Sequence, residues 1–544
     1  MVWSRVPLNN LARGTRRCGI IRGKLHHAGL GAGRRHVRTG FFPEENDPFF
    51  IDPEGPLLSE PLNARWRAMD DPTLRSGILE RNNVGMGMVV MNRAEGFDLP
   101  SINDLYQRLR NLEVNSLKRF VGLAAMEPGP FSVGLDPKEL LLAAVMANKK
   151  GALPDFSKAL LWNFQELAHL VADYRKPLIS HISGYAQDGG GALACLAPFS
   201  GAWEDSTLCV RACHQGLVPM GGMTYVLGSL PAELSSLGEF LALTGWELEG
   251  ADLVSLDLVE HWLSPEALPF LELTAEKHLE VSEADSRLLL REHSLPLPLE
   301  GDLHVKEAGK EGRGFQRRYF PLIHRFFKEE SPKAIQDAID KEIANLENIK
   351  SEKMQTELRF LKDCRDRMKK VSTRAAWITL ELIRKVRRGI REARATASKQ
   401  RVHPEVLVEA LRAELWAQHG LLKREETIWR LHQACTGTET KEPTTKEAPT
   451  TQQVSQFTNP PEDFFTVFER PEMPLSQHPR LRRYHPDFDA ATGLDHDPAW
   501  MQQEARRWNP NLLEKERQKA VKELLGNEDP SKFGQSRWVR VEPE

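Results

Sequence analysis

The sequence predicts an α/β fold that gives way to a mainly helical region, and three observations carry that expectation. Short apolar runs of strand length recur at Val84–Met91 (VGMGMVVM), Phe120–Ala125 (FVGLAA) and Pro177–Ile182 (PLISHI). Between those runs lie segments of helical period, such as the one with apolar residues at Phe164, Leu167, Leu170 and Val171. Beyond Leu263 the helical period dominates. Strands that alternate with helices pack as a sheet covered by helices, because each helix can bury its apolar stripe only against a neighbouring layer.

At 544 residues, with 40% apolar and 27% charged side chains, the chain can build a large core with additions. Its formal net charge of -3 gives no overall bias toward nucleic acid or membrane. No stretch approaches the roughly 18 apolar residues of a membrane span. Six cysteines (Cys18, Cys195, Cys209, Cys213, Cys364, Cys435) form no CxxC pair, which fits a reducing interior. Cys209, Cys213 and His214 lack a second half-site and read as packed side chains rather than zinc ligands.

In chain order, residues 1–40 carry Arg5, Arg13, Arg16, Arg17, Arg22, Arg34, Arg35 and Arg38, with no acid before Glu44. That is the composition of a mitochondrial transit peptide, and it predicts a matrix protein; a basic tail or RNA-binding arm is the plainer alternative. Residues 41–80, with Asp52-Pro53 and Asp71-Pro72, read as an irregular lead-in. The core is expected over 81–300, with a helix from Ile102 to Leu112 between the first two runs. A helical region follows over 301–435, where Ser331-Pro332 opens a helix with Ile335, Ile339, Ile343 and Leu346 along one face. Further helices are expected over Met354–Lys370, Arg374–Ala395 and Pro404–Leu431. Residues 436–453 (TGTETKEPTTKEAPTTQQ) read as a flexible linker. Residues 454–544 scatter aromatics among prolines and charges, with one short helix around Leu512–Leu525, and read as a docking extension that orders on a partner, with wrapping around the chain's own core as the alternative.

Three glycine-rich stretches stand in one order: Phe131-Ser-Val-Gly-Leu-Asp136, then Gly184-Tyr-Ala-Gln-Asp-Gly-Gly-Gly191, then Gly216-Leu-Val-Pro219 with Gly221-Gly222. Phe240-Leu-Ala-Leu-Thr-Gly245, Gly250-Ala-Asp252 and Glu260-His261 follow. From about Arg81 to Leu263 this pattern resembles the crotonase (enoyl-CoA hydratase/isomerase) superfamily, in its 3-hydroxyisobutyryl-CoA hydrolase-like branch. The resemblance implies a crotonase-like ββα spiral with a C-terminal helical region and, here, a long irregular C-terminal extension.

It also implies a chemistry. Negative charge on a thioester oxygen is stabilised by two backbone N–H groups, here those of Val133 and Gly189. Proton transfer needs titratable side chains within hydrogen-bond reach. Where the hydrolase branch carries a Glu and an Asp, this chain has Ala212 and Met220, and the hydratase carboxylate position reads Ala192. Asp188 replaces a glycine beside the oxyanion hole. His214, Glu204, Asp205 and Asp136 are the conceivable substitutes, and the pocket around positions 212 and 220 is expected to be partly open. Arg384, Arg387, Arg388 and Arg391 fall along one face of a predicted helix, as RNA phosphate contacts or as a solvated surface.

Degenerate members of this branch are components of the small subunit of mitochondrial ribosomes, and the chain resembles them. The implied partners are mitochondrial ribosomal proteins and rRNA, with no membrane, metal or cofactor; a CoA ester is the ligand of the family. The competing readings are an active mitochondrial acyl-CoA hydrolase or hydratase of valine or fatty-acid breakdown with displaced catalytic residues, and a non-ribosomal partner-binding or CoA-sensing protein.

Overall fold

The computed structural model describes residues 76–82, 85–126, 129–264, 291–295, 315–347, 351–396, 402–437, 448–461 and 510–525. The expected transit segment 1–40 and most of the lead-in lie outside them. The core begins earlier than the expected residue 81, because β1 (Ile78–Asn82) pairs antiparallel with β2 (Gly85–Met91), Ile78 opposite Met91. From β2 the sheet continues in parallel through β3 (Lys118–Ala125), β4 (Leu178–Ile182), β6 (Phe199–Ala202) and β9 (His261–Trp262). A second sheet joins β5 (Tyr185–Gln187), β7 (Thr207–Cys209) and β8 (Leu248–Glu249).

Successive strands therefore change layer: β4 lies in the large sheet and β5 in the small one, and β6 and β7 repeat the step. Each pair is followed by helical structure, which produces a spiral of β-β-α units. Because β2 and β3 are buried on both faces, their sequences are near-continuous apolar runs rather than alternating ones. One face packs Val89, Met91, Val121 and Leu123 into the main core, and the other packs Met86, Met88, Phe120, Ile179 and Phe199 into a second cluster.

The helices of the spiral are α1 (Leu99–Val114), α2 (Pro137–Lys150), α3 (Asp155–Ala172), α4 (Asp188–Leu196), α5 (Met223–Ser229), α6 (Ser235–Thr244) and α7 (Gly250–Ser255). Local chemistry sets their ends. Asp98 and Ser101 form a reciprocal capping box on α1, and Asp136 accepts the N–H of Lys138 at 2.8 Å to start α2. The helical region then contributes α8 (Phe315–Phe327), α9 (Pro332–Leu346), α10 (Glu352–Met368), α11 (Thr373–Thr396), α12 (Pro404–Leu421) and α13 (Glu425–Thr436). The Ser331 hydroxyl caps α9, and Ile335, Ile339, Ile343 and Leu346 are its buried stripe. Among the described residues no single helix is long and apolar enough to cross a membrane.

Two pieces of the C-terminal part differ from the reading of a linker followed by a partner-ordered arm. Helix α14 (Thr451–Thr458) opens inside the expected linker, buries Val454 and Thr458, and accepts the Trp416 indole N–H on the Gln456 carbonyl at 2.8 Å. Helix α15 (Pro510–Leu525) seats Leu513, Ala520 and Val521 on Leu142, Met146, Phe156 and Ala159 of α2 and α3. Its Arg517 pairs with buried Glu139 at 2.9 Å, and its Glu516 accepts the Phe156 N–H at 3.1 Å, at the head of a helix whose own N-cap residue Pro154 supplies no side-chain bond. These segments fold on the chain's own core because apolar and ionic partners wait for them there.

Candidate functional site

Three backbone segments build the site. The turn 131–136 lies against β5, with the Gln187 N–H donating to the Ser132 carbonyl at 2.8 Å and the Ser132 N–H to Tyr185 at 3.3 Å. That pairing sets Val133 in the turn that meets the head of α4, where a Cβ added to Gly134 would stand 3.4 Å from the Gly189 nitrogen. Gly189 is the second residue of α4, a position whose N–H has no acceptor within its own helix. The two residues expected to donate to an oxyanion are thus on segments brought together by the fold. Phe164 of α3 closes the other side, since its ring atoms would lie 2.4 Å from a Cβ on Gly189 and 2.9 Å from one on Gly221.

The second segment is the head of α4. Asp188 sits at φ 44°, in the left-handed region that glycine occupies without strain. Its side chain turns to a 3-10 turn, Ala212–Gln215, and one carboxylate oxygen accepts the N–H groups of Arg211 at 2.9 Å and Ala212 at 3.0 Å. The other oxygen accepts from Gln187 Nε2 at 3.0 Å. Burial pushes the Asp188 carboxyl up to about 6, while those three donors draw it back. The Tyr185 hydroxyl beside them lies 2.6 Å from Cys209 Sγ, and burial pushes that thiol up to about 12, which keeps it protonated and inert.

The third segment, 216–222, carries Met220. Gly221 and Gly222 are consecutive left-handed residues at φ 70° and 81°, a pair of conformations that side chains resist. Polar groups from two helices hold them. Gln165 of α3 accepts the Gly221 N–H at 2.9 Å and donates to the Leu411 carbonyl and to Glu414. Glu414 of α12 accepts the Gly222 and Thr224 N–H groups, each at 2.9 Å, and the Thr224 hydroxyl at 2.6 Å, which caps α5 from another helix. Gln418 accepts the Val218 N–H at 3.3 Å. Burial pushes the Glu414 carboxyl up to about 7 against the pull of its donors.

Ala212 and Met220 are both parts of the main apolar core, each 4% exposed. Against the expectation of a partly open pocket there, both side chains are buried. Of the conceivable substitutes, Asp136 and His214 lie on segments that build the site, and Glu204 and Asp205 lie in the turn between β6 and β7. Asp136 caps α2, and Asp205 accepts the Gly184 N–H at 3.1 Å in a turn; Glu204 is exposed. Burial and the cations Arg211, Arg430, Arg367 and Lys370 push the His214 imidazole down to about 4, so it is neutral and weakly basic at pH 7. Ala192 is buried inside α4. Among the described residues no group of three His, Cys, Asp or Glu side chains could hold a metal ion.

The basic face of α11 is also corrected. Arg387 grips Glu239 of α6 with contacts of 2.6 and 2.7 Å, and Arg384 donates to the carbonyls of Glu329 and Glu330. Glu239 is almost wholly buried and needs a cation, so these two arginines are internal struts. Arg388 is exposed and pairs with Glu381, and Arg391 and Arg394 are exposed.

Sequence reasoning missed Gln165, Glu414 and Gln418. A signal existed: Leu407, Leu411, Glu414, Gln418 and Leu421 share one helical stripe, and a carboxylate and an amide among leucines mark buried polar contacts.

The β-β-α spiral and the facing glycine-rich turns define a crotonase-fold protein. The chain belongs to the enoyl-CoA hydratase/isomerase family, whose model matches residues 86–414. It is 28% identical over 198 residues to mouse (Mus musculus) mitochondrial 3-hydroxyisobutyryl-CoA hydrolase, covering 36% of this chain and 49% of that protein. It is 25% identical over 198 residues to small ribosomal subunit protein mS47 of Schizosaccharomyces pombe, covering 36% and 44%. The chain thus spans about half the length of these curated relatives. Among solved structures, a carnitinyl-CoA dehydratase from Mycobacterium thermoresistibile superposes with a TM-score of 0.54 at 17% identity over 71% of this chain and 97% of the other, a likeness of fold alone.

Proposed function

We propose that this chain is a catalytically silent hydrolase-like crotonase that serves as a structural component of the small subunit of the mitochondrial ribosome, in the matrix. The observation that carries the reading is the pair Ala212 and Met220, buried apolar side chains where proton-transfer groups belong. A methyl group and a thioether accept no proton near neutral pH, and loss of one such group commonly removes about two to four orders of magnitude in rate. The clamp on segment 216–222 supports the same reading, because it turns the site into a rigid node between spiral and helical region.

The relatives named mS47 supply the assembly, and the mitochondrial hydrolases agree on the organelle. Ribosomal proteins are then the protein partners, and rRNA meets the exposed end of α11 at Arg388, Arg391 and Arg394. Residues 1–40 direct import, the chain from β1 to α13 with α14 and α15 packed on it forms the body, and the remainder of the extension carries further docking contacts. In the test, mitochondrial extract is sedimented and the chain is followed by antibody. Migration with the small subunit is expected; migration as a free protein overturns the proposal. In parallel, the purified chain releases no CoA from 3-hydroxyisobutyryl-CoA above background, and a rate near that of ordinary hydrolases overturns catalytic silence.

A further inference from the structure

Asp188 and Ala212 meet where α4 faces the 3-10 turn, and we infer that they are a linked pair: this site holds a carboxylate at position 188 or at position 212, but not at both. The inference rests on the contacts of the silent site and not on the ribosomal assignment. Asp188 accepts three hydrogen bonds, from the N–H groups of Arg211 and Ala212 and from the Gln187 amide. A carboxylate side chain at position 212 would belong to a residue whose own N–H is bonded to the Asp188 oxygen at 3.0 Å. At 4% exposure it would also start inside the core, with little water to screen it.

Most of the neighbouring charges are already engaged. The Arg211 guanidinium is paired with Glu247, the Tyr185 hydroxyl and the Cys209 thiol are held protonated by burial, and so is the Cys213 thiol on the other side. Arg211 is the cation that acts on Asp188. Arg430, Arg367 and Lys370 act on His214 further along the turn, which burial keeps neutral, with Arg430 engaged by Glu426 and Arg367 by Asp363. A second buried carboxylate next to Asp188 would still meet a like charge. The backbone points to the alternative state. A φ of 44° at position 188 suits glycine, and a glycine there would release the two N–H groups of the turn. Asp188 is a positioning residue that fixes the turn in its silent form, so a glutamate at 212 alone cannot re-create a proton-transfer group.

The test is a double-mutant cycle in the full-length chain, read by thermal unfolding near pH 7.5 and pH 5. Ala212→Glu is expected to lower the melting temperature by several degrees in the parent chain near pH 7.5. In the Asp188→Asn background, which keeps an acceptor but removes the charge, the same change should cost far less; Asp188→Gly gives a second background free of backbone strain. The coupling should shrink near pH 5, where a proton is available to one carboxyl, a response that steric crowding alone would not give. An equal loss in parent and Asp188→Asn backgrounds, or no loss in the parent, overturns the inference.

Discussion

Glu414 shows how a single buried side chain can connect two parts of the molecule. Its carboxyl rises from 4.5 to about 7 on folding, because burial disfavours the charge more than four donors favour it. A raised carboxyl binds its proton more tightly in the folded state, so stability is full below the unfolded value and declines as pH rises from about 4.5 to about 7. Glu414→Gln removes that titration. The melting temperature of the parent relative to the variant should therefore fall between pH 5 and pH 8; a constant difference would show that Glu414 stays in one protonation state. Residue identity told the sequence reading that positions 212 and 220 had lost their chemistry. It could not tell that Asp188 would bond the N–H groups of Arg211 and Ala212, since that choice depends on which N–H groups lie within reach.

Among elements, α11 separates charge that supports the fold from charge that faces outward. Arg387 lies against a buried carboxylate, and Arg387→Ala should destabilise by about 3–5 kcal/mol, as breaking a buried pair does. Arg388→Glu with Arg391→Glu should leave the melting temperature within a degree or so, since exposed pairs contribute about 0–1 kcal/mol. If the proposed ribosomal role holds, the same pair of changes weakens association with the small subunit and reduces its salt dependence. Equal thermal effects from both sets would refute this division. The period of α11 was legible in the sequence, but its partner was not, because Glu239 is 148 residues away. Helix α15 makes a related point. Arg517→Ala leaves Glu139 buried without its cation and should cost about 1–3 kcal/mol, measured by denaturant unfolding. An unchanged midpoint would mean that α15 does not rest on α2 in solution.

For the whole molecule, ending the chain after Thr436 removes α14 and α15 and exposes Leu142, Met146 and Phe156. Burying a large apolar side chain is worth about 1.5–3 kcal/mol, so the shortened chain should melt several degrees lower, not merely lose an assembly contact. An unchanged melting temperature with lost sedimentation would restore the reading of the whole extension as a docking arm. The sequence by itself determined the fold family, the strands β2, β3 and β4, the buried stripe of α9 and the absence of the two carboxylates. Those features are written in local period, glycine placement and residue type, which survive without knowledge of neighbours. Only the tertiary structure decided that Ala212 and Met220 are buried, that Glu414 and Gln165 hold the loop beside them, that two of four arginines pair within the fold and that α15 returns to the core. Each rests on contacts between residues far apart in the chain, up to 378 positions for Arg517 and Glu139, and no local pattern encodes which distant surface will be there to meet them.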